Sequence, residues 1–363
     1  MVVIFVAVAA VVEIVVVDAT KPAPVVFKPS LKHDSPATLR TGKDLILATK
    51  AFAHENRAHS WWVVLSTLAL LFVTLTGTLI PWFWPARLIC SVLSSLLMVR
   101  IFVIFHDHQH HAILDRSFLA DFLMRLIGIF MLTPSSIWKS SHNYHHNHNS
   151  KFRSARIGSY PIMTLSHYEK ANFRARFQYR FTRHPMTILC GYFFVFFLGM
   201  SVLPFIDDPR KHLHGLLACV LHIAFAVTLF IFGGFAALFF TLLLPYFLSM
   251  AFGSYLFYVQ HNFPDVVFCD SKGWTYESAA LDSSSFLKMP RIMHWFTANI
   301  GYHHIHHLNS KIPFYRLPET MRAMPELQNP KCSSLHPFEI WKCLRLTVWD
   351  VEFQRMIPLP QSV

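Results

Sequence analysis

The run WWVVLSTLALLFVTLTGTLI, residues 61–80, carries no charged side chain in 20 consecutive positions. That is about the length a helix needs to cross the hydrocarbon core of a bilayer. Three similar runs follow: ARLICSVLSSLLMVRIFVIF (86–105), charged only at Arg87 and Arg100, then LLACVLHIAFAVTLFIFG (216–233) and FAALFFTLLLPYFLSMAFGSYLFY (235–258). A fifth apolar run, MTILCGYFFVFFLGMSVLPF (186–205), is long enough to span. Charged residues make up 14% of the 363 positions, against about 25% in a soluble domain. The expected fold is all-α: a polytopic membrane protein with about four transmembrane helices.

The net charge is +12. In a soluble protein it would suggest nucleic acid, but here the basic residues flank spans, and no nucleic-acid partner is expected. Lys151, Arg153, Arg156, Lys170, Arg174, Arg176, Arg180 and Arg183 face a single acid, Glu169, between 151 and 184. By the positive-inside rule that segment is expected to be cytoplasmic, beside anionic headgroups. The six cysteines contain no CxxC pair, so neither a disulfide framework nor a thiolate metal site is indicated. The first 17 residues are apolar but interrupted by Glu13, and residues 1–37 are read as an N-terminal extension with no assigned function.

Histidine is the other anomaly: 23 in the chain, crowded into HDHQHH (106–111), SHNYHHNH (141–148) and HHIHH (303–307). On a helix, residues four apart share a face, so His106 and His110 can aim at one point. His142, His145 and His146 have i, i+3, i+4 spacing, and so do His303, His306 and His307. Eight imidazoles are enough for two metal ions with open positions, and imidazole alone does not choose among Fe, Zn, Cu and Ni. The first two apolar runs form a hairpin, and 117–133, with Asp121 and Arg125, is short for a span. All three clusters then share one face only if one later run does not cross; 186–205, bracketed by Pro185 and Pro204, is nominated as interfacial or re-entrant. His222, alone in its span, is expected to be an ordinary satisfied polar residue.

The order HDHQH, HNYHH, HHIHH resembles the three histidine boxes of the membrane fatty acid desaturase family. FHDHQHHAIL, SHNYHHNHNSK, FYVQHNFPD and GYHHIHHLNSKIPFYRL are similar to stretches of its acyl-lipid branch. The resemblance covers roughly 38–345, leaving 346–363 as a C-terminal tail. It implies a cytoplasmic helical cap holding the boxes and a centre of two iron ions. It also implies nine histidine ligands: His106, His110, His142, His145, His146, His303, His306 and His307, with His261 of VQHNF as the ninth. His111, His148, His294 and His304 fall outside the box pattern. Asp107 is placed to orient a ring N–H, with Asn143, Asn147 and Asn299 as further candidates. Phe102, Trp138, Trp295 and Tyr302 are candidates for the wall of an acyl channel.

The implied reaction is O2-dependent removal of two hydrogens from a fatty acyl chain, lipid-, CoA- or carrier-protein-linked, giving a cis double bond. No HPGG motif of a fused cytochrome b5 occurs, since His184-Pro and His336-Pro continue as HPM and HPF. A separate electron donor, ferredoxin or cytochrome b5, is therefore expected, docking on the basic 151–184 surface. Hydroxylases, conjugases and ketolases share the scaffold. A histidine-lined divalent metal transporter is the rival of another class, but its ionisable residues belong near the bilayer midplane, whereas these clusters fall at span ends.

Overall fold

Two prolines shape the first reversal of the chain. Pro81 forces Ile80 out of helical geometry and ends the helix Arg57–Leu79, and Pro85 sits in the first turn of Trp84–Gln109. The computed structural model describes residues 39–81, 83–151, 160–269 and 273–359. The extension 1–37 lies outside the described residues.

Three helical stretches are long and apolar enough to cross a membrane: Arg57–Leu79, Trp84–Gln109 and Leu213–Val259. The last is not straight. Gly234 takes a left-handed φ of 67°, and beyond it the His222 and Tyr246 rings meet at 4.7 Å. On a straight helix, 24 residues would separate them by about 36 Å. The stretch is therefore a hairpin reversing at Gly234, and with the first hairpin it accounts for the four expected passes. His222 is satisfied inside the second hairpin by the Tyr192 hydroxyl (2.5 Å).

Small polar side chains hold the first hairpin closed and tie it to the second, as in membrane helix packing generally. Ser94 Oγ donates to Thr74 Oγ1 (2.9 Å), Ser91 Oγ to the Phe240 carbonyl (2.6 Å), and Thr78 Oγ1 meets Thr241 Oγ1 (2.7 Å). The run 186–205 breaks into Pro185–Leu189, a π-type helix Tyr192–Val202 and Leu203–Asp207. It dips inward and returns. Gly191 abuts Ser254, Tyr192 reaches His222, and Ser201 is back against Gly215 near the start of the second hairpin. The run is therefore interrupted near Gly191 and is not one continuous spanning helix.

The remaining elements form a cap over one end of the spans. The helix Phe118–Phe130 exposes Phe118, Leu119, Phe122 and Leu126 and then bends by 89° into Ser135–His148. Short helices, including His303–Leu308, and two two-stranded sheets complete the cap. Residues 346–359, within the segment read as a C-terminal tail, pack on the cap. Val348–Asp350 pairs antiparallel with Arg355–Ile357, and Trp349 is fully buried, with its N–H donating to the Met163 carbonyl (2.9 Å).

Candidate metal centre

Each histidine box sits where a helix end meets the cap. His106 and His110 occupy the last turn and C-cap of Trp84–Gln109, and His142, His145 and His146 the last turns of Ser135–His148. His261 lies in the turn after Leu244–Val259, and His303, His306 and His307 lie on His303–Leu308. All nine rings are buried.

They gather into two groups. His106, His110, His142, His146 and His306 bring ring nitrogens within 4.8 Å of one another, and so do His145, His261, His303 and His307. The first box aims both rings at one group, as its spacing suggested, but the second and third boxes do not. In the second box the i and i+4 rings join the first group and the i+3 ring the second; in the third box the division is reversed. Two short helices thereby bridge both groups, and His146 stacks on His307 with centroids 4.2 Å apart.

Within the first group, Nε2 of His142 lies 2.8 Å from that of His106 and 3.1 Å from that of His146, which is 3.1 Å from His306. In the second, Nε2 of His261 lies 3.0 Å from His145 and 2.9 Å from His303, which is 3.1 Å from His307. The Nδ1 of His261 faces the Ser283 carbonyl at 2.9 Å. A carbonyl only accepts, so the proton sits on Nδ1 and a bare lone pair points into the group. Burial pushes His261 down to about 4 and holds His142, His145, His146, His303, His306 and His307 well below the usual imidazole value. These rings are neutral at neutral pH, the form that binds metal.

Converging neutral nitrogens cannot all satisfy one another, because each ring has one N–H to donate. A cation resolves the arrangement. Ligand atoms about 2.1 Å from one ion and at right angles are roughly 3.0 Å apart, and the observed spacings are of that size. The two buried groups can hold metal ions.

Around the rings the expectations divide. Asp107 lies beside a box ring: Oδ1 faces Nδ1 of His106 at 3.3 Å, and Oδ2 accepts the Phe314 N–H at 2.7 Å. Asn299 touches no ring; its amide donates to the Phe314 carbonyl (3.1 Å), clamping the same residue from the other side. Asn143 and Asn147 are exposed, because each lies about 100° around the helix from the neighbouring box histidine. His304, expected to turn away, stands outside both groups, although it is fully buried beside Phe286.

A cavity of about 310 Å³ borders the first group, with His142 in its wall. Phe102 and Trp138 line it, and Trp138 stacks on His142 at 4.9 Å. Trp295 and Tyr302 do not. Trp295 lies under the Arg100 guanidinium (4.1 Å), and Tyr302 packs on Phe286 and His294. The walls that sequence reasoning missed come from remote segments: Tyr160, Phe196, Met200 and Phe257. Phe257 carried a signal, four residues before His261 and so on its helix face. Arg183 was missed as well. Counted among the exposed basic residues, it is instead fully buried, donating to Tyr258 Oη (3.0 Å), Asn262 Oδ1 (2.7 Å) and the Leu346 carbonyl (3.0 Å) beside His261.

Known proteins share this arrangement of sequence. The family model described as "Fatty acid desaturase" matches residues 82–338. The chain is 29% identical over 326 residues to "Fatty acid desaturase" of Bacillus subtilis (strain 168), covering 87% of this chain and 90% of the relative. It is 25% identical to "sn-1 oleoyl-lipid 12-desaturase" of Anabaena variabilis, covering 76% and 79%. It is 23% identical to "Delta(12)-fatty-acid desaturase" of Arabidopsis thaliana, covering 66% of each chain. The family match spans well over half of the chain: this protein is an oxidoreductase and belongs to the fatty acid desaturase family.

Proposed function

We propose that this protein introduces a cis double bond into a fatty acyl chain, using O2 and two electrons, with two iron ions held by the nine clustered histidines. The observation that carries this reading is the apolar cavity whose wall includes His142, a member of the five-nitrogen group. An unactivated C–H bond is too strong for acid–base side chains, and O2-activated iron supplies the oxidant that they cannot. The protein's own residues position and exclude. Phe102, Trp138, Phe196 and Phe257 hold a methylene pair against His142 in a wall from which water is kept out. Asp107 fixes the tautomer of His106, and the Ser283 carbonyl fixes that of His261. The two hydrogens removed leave with O2 as water, which requires two electrons and two protons from outside.

Those electrons come from a separate ferredoxin or cytochrome b5. Lys170, Arg174, Arg176 and Arg180 are exposed and suit an acidic face; Arg183 is buried and takes no part in docking. The boxes face the cytoplasm in this reading, by the charge rule. The similarity to the sn-1 oleoyl-lipid 12-desaturase favours a lipid-linked chain as substrate.

The test is expression with an electron donor in a host of simple fatty-acid composition, followed by double-bond mapping of its lipids. A new cis double bond at one position is the expected result. A hydroxylated product would move the protein to the hydroxylase branch, and an unchanged profile with the donor present would reject the assignment.

A further inference from the structure

A different face of Ser135–His148 from the one that lines the acyl cavity borders a second cavity, of about 490 Å³, which the reaction above does not use. We propose that it binds the phosphate of a membrane phospholipid.

Its charge is the first reason. Arg125 and Lys139 line it. The one carboxylate in the wall, Asp121, faces Nε2 of His108 at 3.0 Å, which leaves Arg125 without an ion-pair partner among the described residues. Among the described residues, Lys139 Nζ meets one acceptor, Nε2 of His111, at 3.1 Å. The backbone is the second reason. Ser135 and Ser136 also line the cavity and open a 14-residue helix that has no side-chain cap. The first intrahelical bonds there are donated by Ile137 and Trp138 to the Pro134 carbonyl, so the N–H groups of Ser135 and Ser136 precede them. Ser135 Oγ is buried with no hydrogen-bond partner. A guanidinium, an ammonium, a hydroxyl and a helix N-terminus around one cavity suit a tetrahedral anion.

Depth chooses the source of that anion. Gln109, the last residue of one span, and His214, the second residue of another, both line the cavity, so it opens where the spans end. Phe118–Phe130, which contributes Arg125, turns Phe118, Leu119, Phe122 and Leu126 outward, and Arg125 borders that apolar strip. A helix with an apolar face and a cation at its edge lies in the headgroup layer. A lipid phosphate is at that level and a soluble phosphate ester is not.

The test uses the full-length, metal-loaded protein, stripped of lipid in an uncharged detergent and titrated with phosphatidylglycerol under native mass spectrometry. One tightly held lipid per chain is expected, with affinity falling roughly tenfold in Arg125→Gln and in Lys139→Gln and less in Arg125→Lys. Diacylglycerol with the same chains should not bind at the site, and excess glycerol 3-phosphate should not displace the lipid. Equal affinity in all variants overturns the proposal. Displacement by glycerol 3-phosphate at concentrations comparable to the lipid also overturns it, because the ligand is then a soluble phosphate ester. Metal content and elution volume report folding; should Lys139→Gln change either, Arg125→Lys and Ser135→Ala carry the comparison. Binding is read without turnover, so a failure here leaves the desaturase reading standing, and an inactive enzyme leaves this site standing.

Discussion

The two nitrogen groups share two helices yet differ in what stands behind them. The five-nitrogen group has an acidic side chain, Asp107, on the outer nitrogen of His106, and opens through His142 onto the apolar cavity of about 310 Å³. The four-nitrogen group has only a carbonyl, that of Ser283, on the outer nitrogen of His261. Its neighbouring space is about 20 Å³, room for a single water, lined by both His261 and the buried Arg183. A carboxylate raises the basicity of the ring it holds, whereas a nearby guanidinium opposes added positive charge. The two groups therefore differ in their surroundings, a buried acidic side chain and an apolar cavity at the first against a backbone carbonyl and a buried guanidinium at the second.

The largest expected effect would break the comparison outright. If both ions are needed for one reaction, His142→Ala and His261→Ala each abolish double-bond formation in cells, measured by fatty-acid profiling, although the residues belong to different groups. A variant of either group that stays active would mean that one ion suffices. Asp107→Asn sharpens the contrast next. It should weaken one of the two ions by about 10- to 100-fold and leave the other unchanged in a chelator competition. Equal weakening of both would mean that Asp107 acts on the fold and not on His106.

Trp138→Ala comes third. The ring stacks on His142 and lines the cavity, so its loss should alter the position or yield of the double bond while metal content stays constant. Acid is a fourth probe, and it acts on both groups. Because burial lowers the imidazole of His261 to about 4, the unfolded chain takes up a proton below about 6.5 that the folded chain refuses. The metal-free protein should therefore lose thermal stability as pH falls from about 6.5 towards 4, and a flat profile would contradict the neutral rings. Asn143→Ala should do least. Its exposed side chain predicts a stability change within about 0.5 kcal/mol and unchanged metal content.

What the sequence disclosed followed a physical rule. The box histidines were legible because the i, i+3, i+4 spacing survives in any helix, and the spans because uncharged runs of 20 residues have one common use. The division of the second and third boxes between two groups was not legible, since it depends on how the helices cross. Residues next to a box in sequence proved poor guides to the cavity wall: Trp295 and Tyr302 neighbour the third box in the chain but pack on Arg100 and Phe286. The walls that were missed come from the re-entrant segment and the last span, which only tertiary packing brings to His142. Arg183 looked like one more surface cation in a basic run, and its burial against Tyr258 and Asn262 is set by segments far away in sequence.

Iron counted per chain tests the central claim most directly. Elemental analysis of the purified full-length protein should find two irons, with one retained in His306→Ala, which strips the first group, and one in His303→Ala, which strips the second. One iron in the unaltered protein, or two in either variant, would contradict two histidine-built centres.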